Sequence, residues 1–522
     1  MSSTEPSKVE KEYKKRSVAG SFLFRFSDGD EKRAQVALFR RSDKVRTYQH
    51  KLAPVSGSVE KDDASPMATA LREIKEETTL TPSSLELLRV GKPYSFTDDS
   101  IGRVWTINPF AFRLKDKEEG GKGEEGIAID WEHDGIEWYN PLDVSESDEF
   151  GGVPKLVNSL RRVWPEYDLG AKTGKLLTSG LRRLRDDHES GARQLASIAL
   201  LTLKDLIADM DSSVIDETWW ANVRMAAWHI CKTRESMGAA IISAIVKALD
   251  RIEVIFTKDL APVEKIRLMV EVIDQQLARR QSASEYIRNS FVDYVRQNVT
   301  QGAESKNKIT VLTLSSSSTI SACLLQAAST LGVALELRIL ESRPLYEGVT
   351  LASKLLEENK NTDLTVTLYS DASAALAADA VDIVVIGADR ISSAGDVSNK
   401  IGSLPAILSQ RHMAPNAKVV ILSESEKIAS PGPMSEHPAE ENNPKELVQA
   451  WKDRVKGADV IEDALQTETN QGKVRVNNTY FEWVPARFVS AYVTDEGLWS
   501  VKDISNRSIW IGNEIDRFFK DL

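Results

Sequence analysis

Residues 57–80 read GSVEKDDASPMATALREIKEETTL, and this stretch decides the fold of the N-terminal third of the chain. Ser65 followed by Pro66 signals the start of a helix, because serine caps the first free amides and proline suits the first turn. Apolar residues then recur at the spacing that buries one side of a helix: Ala68, Ala70, Leu71 and Ile74. The stretch therefore predicts a loop that leads into an amphipathic helix.

Three glutamates lie on this predicted helix: Glu73, Glu76 and Glu77. Their spacing places the three carboxylates within an arc of about 100° on one face of a helix. Like charges so placed repel, and a hard divalent cation such as Mg²⁺ or Mn²⁺ would turn that repulsion into oxygen ligation. The alternative is an ordinary solvated acidic face, which the glutamates by themselves leave open.

The residues around the helix resemble the Nudix box, a loop-helix-loop of the form G-x5-E-x7-R-E-U-x-E-E-x-G-U, where U is aliphatic. Two positions depart from it. Asp63 replaces the first glutamate and is followed by one extra residue, and Thr79 stands where the final glycine is expected. The matching residues are Gly57, Arg72, Glu73, Ile74, Glu76, Glu77 and Leu80. The segments that read as strands nearby are 17–26, 34–40, 105–114 and 135–139.

This resemblance implies a Nudix α/β/α sandwich over residues 16–165 and metal-dependent hydrolysis of a nucleoside diphosphate derivative. The three glutamates, with the carbonyl of Gly57, are expected to hold Mg²⁺ or Mn²⁺, which neutralises the diphosphate and lowers the pKa of the attacking water. Arg72, at the edge of the substrate site, is expected to orient these carboxylates. A further metal ligand or base is expected from a later loop, where the candidates are Glu124, Glu125 and Glu132.

The length of 522 residues exceeds what one hydrophobic core covers, so two or three domains are expected. The formal net charge of −11 argues against a general nucleic-acid binder, and we expect no DNA partner. Cys231 and Cys323 lie far apart and without a C-x-x-C motif, which indicates a reducing compartment and no cysteine zinc site. No apolar run reaches the roughly 18 residues of a transmembrane helix, so we expect no membrane span and a cytoplasmic protein.

The pattern of the sequence changes twice after the Nudix-like part. Residues 170–300 show helical periodicity, and residues 301–522 alternate short β-branched runs with helical segments. This alternation predicts a doubly wound, Rossmann-like parallel sheet that binds ligands at the carboxyl ends of its strands. Residues 1–15 are predicted to be a disordered tail, and residues 430–445 a long loop. The predicted strands are 309–314, 334–340, 365–369, 383–386 and 418–422.

Polar residues follow several of these strands. Ser315 begins a run of hydroxyl residues after the first strand, in which Ser316 and Ser317 precede a helix. A phosphate would find hydroxyls and free helix amides there, although such a run is also typical of an ordinary helix cap. Arg343 follows the second strand and is a candidate phosphate clamp, and Asp389 follows the fourth.

The residues from Gly387 to Gly402 read GADRISSAGDVSNKIG. They resemble the signature of the alpha, beta and delta regulatory subunits of translation initiation factor 2B and of their relatives, methylthioribose-1-phosphate isomerase and ribose-1,5-bisphosphate isomerase. Further segments carry the same resemblance: 187–192, 234–237, 341–348, 482–485 and 494–497. It implies a sugar-phosphate site in a helical domain (170–300) joined to a Rossmann-like domain (301–522), and a homo-oligomer, either a dimer or a ring of dimers.

In the isomerases a cysteine at the end of the first strand and the aspartate of the G-A-D motif act as acid and base. Asp389 is present here, but Ser315 stands at the cysteine position, and its hydroxyl has too high a pKa to replace a thiol. Cys323, in the next helix, is predicted to be buried packing. The other substrate-binding residues that the resemblance implies are Arg234, Arg343, Gly348, Asn399 and Lys400. Asp389 as a structural cap, and Asn399 and Lys400 as packing residues, remain the alternatives.

Three functions follow from the two resemblances. The first is a hydrolase of a nucleoside diphosphate derivative, joined to a domain that binds or isomerises a pentose phosphate. The second is a catalytically decayed regulatory or scaffold protein that acts through oligomerisation and partners such as translation factors. The third is an aldose-ketose isomerase of ribose 1,5-bisphosphate or methylthioribose 1-phosphate.

Overall fold

The computed structural model of the chain describes residues 13–26, 34–187, 190–234, 238–300, 307–359, 363–433, 442–452, 454–466 and 474–522. Its elements form an N-terminal region (residues 14–161), a helical region (166–295) and a C-terminal region (308–519). Within these residues, no helix is both long and apolar enough to cross a membrane.

A mixed eight-stranded sheet forms the N-terminal region, between two helices. Its strands are β1 (Lys14–Phe26), β2 (Ala34–Arg41), β3 (Leu52–Ala53), β4 (Val55–Ser58), β5 (Leu85–Val90), β6 (Tyr94–Asp98), β7 (Arg103–Leu114) and β8 (His133–Tyr139). Helix α1 (Pro66–Thr78) packs Ile74 against one face of the sheet, and α2 (Leu156–Arg161) packs on the other. Alternate residues of β1 face the two helices because successive side chains of a strand point to opposite sides. The predicted α/β/α sandwich is present.

The four strands predicted in this region are β1, β2, β7 and β8, and the shorter β3 to β6 were not predicted. The predicted tail 1–15 needs a correction at its end. Lys14 and Lys15 belong to β1, because they pair in parallel with Arg103 and Val104 of β7. Residues 1–12 lie outside the described residues.

The helical region contains α3 (Glu166–Asp186), α4 (Ala192–Asp209), α5 (Glu217–Lys232), α6 (Gly238–Phe256) and α7 (Pro262–Val295). Gly170 breaks α3 with a left-handed φ of 74°, close to the boundary predicted at residue 170. The chain's last helix returns to this region, since Phe518 and Phe519 join its core beside Trp220. The end of this helix therefore packs on the helical region.

The C-terminal region is built on a seven-stranded sheet of order β11-β10-β9-β12-β15-β17-β18. A small sheet of β13, β14 and β16 lies beside it. The strands are β9 (Lys308–Leu314), β10 (Ala334–Leu340), β11 (Leu364–Tyr369), β12 (Ile383–Ile386), β13 (Arg390–Ile391), β14 (Val397–Lys400), β15 (Lys418–Leu422), β16 (Phe481–Val484), β17 (Ala491–Thr494) and β18 (Gly497–Trp499). The helices are α8 (Ser318–Leu331), α9 (Glu347–Glu358), α10 (Ala374–Ala377), α11 (Ser403–Met413), α12 (Lys445–Lys452), α13 (Ala458–Gln466) and α14 (Val501–Phe519).

Strands β11 to β17 of this sheet pair in parallel, and apolar clusters cover both faces. The doubly wound architecture is as predicted, and all five predicted strands are present. Because the strands run in parallel, their carboxyl ends meet at one edge of the sheet. The predicted loop 430–445 lies partly outside the described residues, and Lys445 begins α12.

Candidate functional site

The loop before α1 is closed by Asp63, the residue that replaces the first glutamate of the box. Its carboxylate accepts hydrogen bonds from Thr69 Oγ1 (2.8 Å) and from the backbone N–H of Glu60 (3.0 Å). Arg72 donates to the same carboxylate through Nε (3.2 Å) and Nη2 (3.0 Å). Hydrogen bonding to Arg72 holds the pKa of Asp63 well below its usual range. The shorter side chain thus still ties the loop to the helix.

Arg72 also holds two of the predicted metal ligands. Its Nη1 donates to Glu73 Oε1 (2.8 Å) and to Glu76 Oε2 (3.1 Å). The guanidinium therefore lies between the loop carboxylate and the helix carboxylates, where it fixes their orientation. An orienting role for Arg72 stays a prediction, and these contacts are compatible with it.

Gly57 lies directly against the carboxylate of Glu73. A Cβ added at position 57 would lie 1.9 Å from both Cδ and Oε1 of Glu73, so only glycine fits there. Burial raises the pKa of Glu73, Arg72 opposes this, and the charges of Glu76 and Glu132 add to the rise. The backbone of β4 and this carboxylate form one narrow cradle, in which a cation would relieve the repulsion.

Glu77 departs from the predicted arrangement, in which all three carboxylates share one acidic face. It is 97% buried on the side of Ile74, and its Oε2 lies 2.5 Å from Nε2 of the buried His133. Its Oε1 is buried and has no hydrogen-bond partner among the described residues. Burial, with the charges of Glu73 and Glu132, raises the pKa of Glu77 well above its usual range, and burial lowers the pKa of His133. Burial therefore favours the neutral form of both side chains.

The carboxylates of α1 do not form a complete metal-binding site. Across the described residues, no three acidic, histidine or cysteine side chains are grouped closely enough to hold an ion. The donors still suit a hard cation, because the cradle of Gly57 and Glu73 and the unpartnered oxygen of Glu77 all offer oxygen. Loading such a cation would require Glu77 to lose its proton.

Of the three predicted loop candidates, Glu132 is the one that acts on the site, since its charge shifts the pKa of both Glu73 and Glu77. Glu124 instead bonds Arg25 and accepts from Trp138 Nε1 (2.7 Å). Glu125 pairs with Lys117 in solvent.

A cavity of about 290 Å³ opens beside Gly57, with Ser56 and Ser58 in its wall. Arginines and aromatic rings dominate its lining: Arg16, Arg41, Arg46, Arg103, Tyr48, Tyr94, Phe96 and Trp105. The Tyr48 hydroxyl donates to Asp98 (2.7 Å) and accepts from Trp105 Nε1 (3.1 Å), which fixes both rings. Sequence reasoning missed this cavity because its residues come from several strands and share no motif.

At the edge of the C-terminal sheet, Glu347 joins two of the predicted residues. Its carboxylate accepts from Ser315 Oγ (3.2 Å) and pairs with Lys400 Nζ (3.1 Å). Ser315 has a left-handed φ of 67°, and its backbone N–H donates to Ser342 Oγ (2.8 Å). The sequence analysis did not select Glu347, although the residue stands in the E-S-R-P-x-x-E-G segment that carried the resemblance.

Asp389 is half-buried at the same edge, behind the signature loop. Burial raises its pKa, whereas Lys427 and Lys400 lower it. Lys427 Nζ donates to the backbone oxygen of Ala388 (2.6 Å) and so lies directly beside the G-A-D turn. Asn399 is buried and donates to Ser403 Oγ (2.8 Å) within the motif itself. Ser315, Asp389 and Lys400 thus come together around Glu347.

The other predicted residues lie around this group. Arg343 is half exposed, donates through Nε to Glu341 (3.0 Å), and shares a depression of about 10 Å³ with Lys400. Ser316 is exposed, and Ser317 caps α8 by accepting from the N–H of Ile320 (3.3 Å).

Two predicted residues have structural contacts of their own. Gly348 allows α9 to approach β10, since a Cβ there would lie 1.8 Å from the oxygen of Leu340. Arg234 donates to the backbone oxygen of Asp187 in the helical region. Cys323 is fully buried, and burial raises the pKa of its thiol to about 12, which agrees with the predicted packing role.

A cavity of about 810 Å³ lies between the helical and C-terminal regions, on the side of Asp389 that faces Glu424 and Lys427. Its charged side chains pair with one another. Lys427 lies 3.6 Å from Glu424, and Arg507 lies 2.5 Å from Glu496. Burial alone would raise the pKa of Glu424, but Lys427, Arg193 and Arg280 lower it.

Comparison with known families gives two matches. The model described as the Initiation factor 2 subunit family matches residues 188–501. The model described as the NUDIX domain matches residues 15–160. The two matches lie side by side and cover both candidate sites.

Methylthioribose-1-phosphate isomerases are among the similar curated proteins. That of Carboxydothermus hydrogenoformans is 33% identical over 160 residues, which are 30% of this chain and 41% of the relative. That of Pelotomaculum thermopropionicum is 33% identical over 162 residues, 30% of this chain and 39% of the relative. The chain thus spans about two fifths of the length of these relatives.

Solved structures with a related shape include the translation initiation factor eIF-2B of Pyrococcus horikoshii. It has a TM-score of 0.44 and 19% identity, and the match covers 63% of this chain and 98% of that one. The 5-methylthioribose 1-phosphate isomerase of the same organism has a TM-score of 0.45 and 17% identity, over 66% and 88% of the two chains.

Proposed function

Because the chain belongs to the Initiation factor 2 subunit family and carries a NUDIX domain ahead of the family segment, we propose a hydrolase joined to a sugar-phosphate-binding module. The N-terminal site would cleave a nucleoside diphosphate derivative with Mg²⁺ or Mn²⁺. The observation that carries this proposal is the Gly57–Glu73 cradle with the unpartnered oxygen of Glu77, next to a cavity lined by arginines and aromatic rings.

The composition of this cavity supports the substrate class. Four arginines would neutralise phosphate oxygens, and aromatic faces would stack on a base. Its volume of about 290 Å³ is near the lower end of small-molecule pockets, so it fits one half of a dinucleotide-like substrate. Because Gly57 lies in the wall and against Glu73, the diphosphate end of the substrate would lie toward Glu73.

The side chains of the site have distinct roles in this proposal. A bound divalent cation would lower the pKa of a water and neutralise the diphosphate. Glu73 and the Gly57 carbonyl would hold it, with Glu77 as a further ligand after loss of its proton. Arg72 keeps Glu73 and Glu76 in place from the side of Asp63, and Glu132 is the nearby carboxylate suited to accept a proton from water.

The C-terminal site supports binding of a sugar phosphate better than its isomerisation. Ser315 offers no thiol, and its hydroxyl is bonded to Glu347. The wide cavity beside Asp389 has cations for a phosphate in Arg193, Arg280 and Lys427. We extend the proposal to a homo-oligomer, a dimer or a ring of dimers, in the cytoplasm.

A regulatory or scaffold role is the second candidate. It is favoured by the mutual pairing of charges in the C-terminal site, which leaves no obvious nucleophile or free base there among the described residues. In this alternative the protein would act through translation factors, and its N-terminal site would be inactive.

The two candidates are separated by a turnover assay on a panel of nucleoside diphosphate derivatives, with Mg²⁺, with Mn²⁺ and with a chelator. The hydrolase proposal expects release of a nucleoside monophosphate that depends on the metal and is lost in Glu76→Gln or Glu77→Gln. Absence of turnover on every substrate, together with a stable complex with translation factors, would establish the regulatory candidate instead.

A further inference from the structure

Another cavity lies where the N-terminal region packs on the helical region. Its volume is about 130 Å³, and β5, α3 and α5 all contribute to its wall. The two regions are joined directly around it, since Arg89 of β5 donates to Thr178 Oγ1 of α3 (2.8 Å) and Arg185 donates to the oxygen of Leu87 (3.3 Å). Anything bound here would touch both regions at once.

His229 of α5 supplies an unsatisfied polar atom to this cavity. The side chain is 97% buried, it lines the cavity, and its Nε2 has no hydrogen-bond partner among the described residues. The other ring nitrogen hydrogen-bonds the backbone of Arg162, and burial with the charges of Arg89 and Arg162 lowers the pKa of His229 well below its usual range. Nε2 of the neutral ring is therefore a hydrogen-bond acceptor. A buried polar atom of this kind requires a partner, and water or a ligand is the available source.

The charge of the wall favours an anion. Arg89, Arg182, Arg185 and Lys232 face Glu86 and Glu166, a formal balance of four positive against two negative charges. This excess stands out in a chain whose net charge is −11. Glu86 is engaged by Arg113 at 2.7 Å and Arg185 by Asp186 at 2.7 Å, which reduces the effect of both on the cavity. The remaining wall charges are still positive in excess, with Arg89, Arg182 and Lys232 against Glu166.

The size of the cavity limits the ligand. At about 30 Å³ per water molecule, 130 Å³ holds roughly four waters, or one tetrahedral oxyanion with a water beside it. We propose that this cavity is a binding site for a small protonated oxyanion of the hydrogen phosphate type, whose hydroxyl donates to Nε2 of His229 and whose charged oxygens bind the surrounding cations. The anion bridges the N-terminal and helical regions and stabilises their packing.

The test uses the full chain, a chelator to keep divalent cations away from the glutamates, and inorganic phosphate as the probe, in isothermal titration calorimetry. The variants are His229→Phe, which removes the nitrogen and keeps a ring, and the exposed Arg182→Gln. The matched control is Arg183→Gln, the neighbouring exposed arginine of α3, which does not line the cavity.

The proposal predicts a phosphate-binding step in the wild type that also raises the thermal unfolding midpoint. Both cavity variants weaken this step roughly tenfold or more, the scale of one lost charge-assisted hydrogen bond, and Arg183→Gln leaves it unchanged. Absence of phosphate binding overturns the proposal. So does binding that Arg182→Gln leaves intact, because the phosphate then lies elsewhere, and this outcome does not depend on the folding of His229→Phe.

Discussion

The two candidate sites contain similar residues but differ in how far their charges are satisfied. At the end of β9, the carboxylate of Glu347 is bonded by Ser315 and Lys400. On α1, Glu77 keeps a buried oxygen without a partner in the described structure, beside a cavity lined by arginines. An unsatisfied buried acceptor is rare and costly, so it indicates a missing ligand, whereas a paired one indicates a site closed by its own side chains. The comparison therefore favours the N-terminal region for the proposed hydrolysis.

The largest effect is expected from Gly57→Ala, which should lower the rate of hydrolysis at the N-terminal site. The new Cβ would displace the Glu73 carboxylate, and displacement of a reacting group by about 1 Å costs roughly 100-fold in rate. We expect kcat of the hydrolysis to fall by about this factor. Gly135→Ala is the matched control, because a Cβ at position 135 has no neighbour within 4 Å. Equal rates for the two variants would mean that the cradle is not part of the site.

The C-terminal side of the comparison is tested by Glu347→Gln. The change frees Lys400 from its ion pair and removes a negative charge from the site, so the affinity for a sugar phosphate should rise about tenfold. Calorimetry with ribose 1,5-bisphosphate measures it, and Glu357→Gln on the same helix is the control. An unchanged or weaker affinity would show that Glu347 does not close the site.

A smaller effect concerns stability and pH in the metal-free protein. The raised pKa of Glu77 means that the folded state binds its proton more tightly than the unfolded state. Stability is therefore lost as the pH rises from the usual glutamate value through the raised one. Glu77→Gln removes this loss while keeping a donor for His133, so its unfolding midpoint should exceed that of the wild type at pH 8 by roughly 2 °C or more. The two unfolding midpoints should converge near pH 4. A lower midpoint for the variant at pH 8 would contradict a raised pKa of Glu77.

The smallest effect is expected from Thr79→Gly, which restores the glycine of the box. Thr79 ends α1 with a left-handed φ of 62°, a conformation that costs a side chain about 1–2 kcal/mol. Glycine would relieve this strain. The relief is offset by the flexibility of glycine and by loss of the hydrogen bond from Thr79 Oγ1 to the backbone oxygen of Gly126 (3.2 Å). The free energy of unfolding, measured by chemical denaturation, should change by less than about 1 kcal/mol, and hydrolysis should be retained. A collapse of activity would show that the threonine has a role of its own.

The sequence predicted the parts of the fold that depend on local pattern. The strands 334–340, 383–386 and 418–422 have the predicted bounds. Continuous β-branched runs mark the strands 383–386 and 418–422, which are buried on both faces, and alternating burial marks 334–340. The short β3 and β4 were not predicted, since Ser56, Gly57 and Ser58 lack an alternating pattern and are held in the sheet by pairing with β1.

The sites were predicted less completely because their decisive features are tertiary. Glu73 and Arg72 follow from motif spacing, but the burial of Glu77 depends on His133, which lies 56 residues away in the sequence. The cation that pairs with Glu347 comes from β14, and the cavity at His229 exists only where two regions meet. No local pattern carries such contacts.

The proposed hydrolysis depends on the carboxylates of α1. Phosphorus NMR of the full chain with Mg²⁺ and a nucleoside diphosphate sugar follows loss of the diphosphate and appearance of monophosphates in one experiment. We expect cleavage by the wild type and by Glu118→Gln, a control in an exposed loop. In Glu73→Gln the cleavage rate should be lower by about two to three orders of magnitude. Cleavage by Glu73→Gln at the wild-type rate would contradict it.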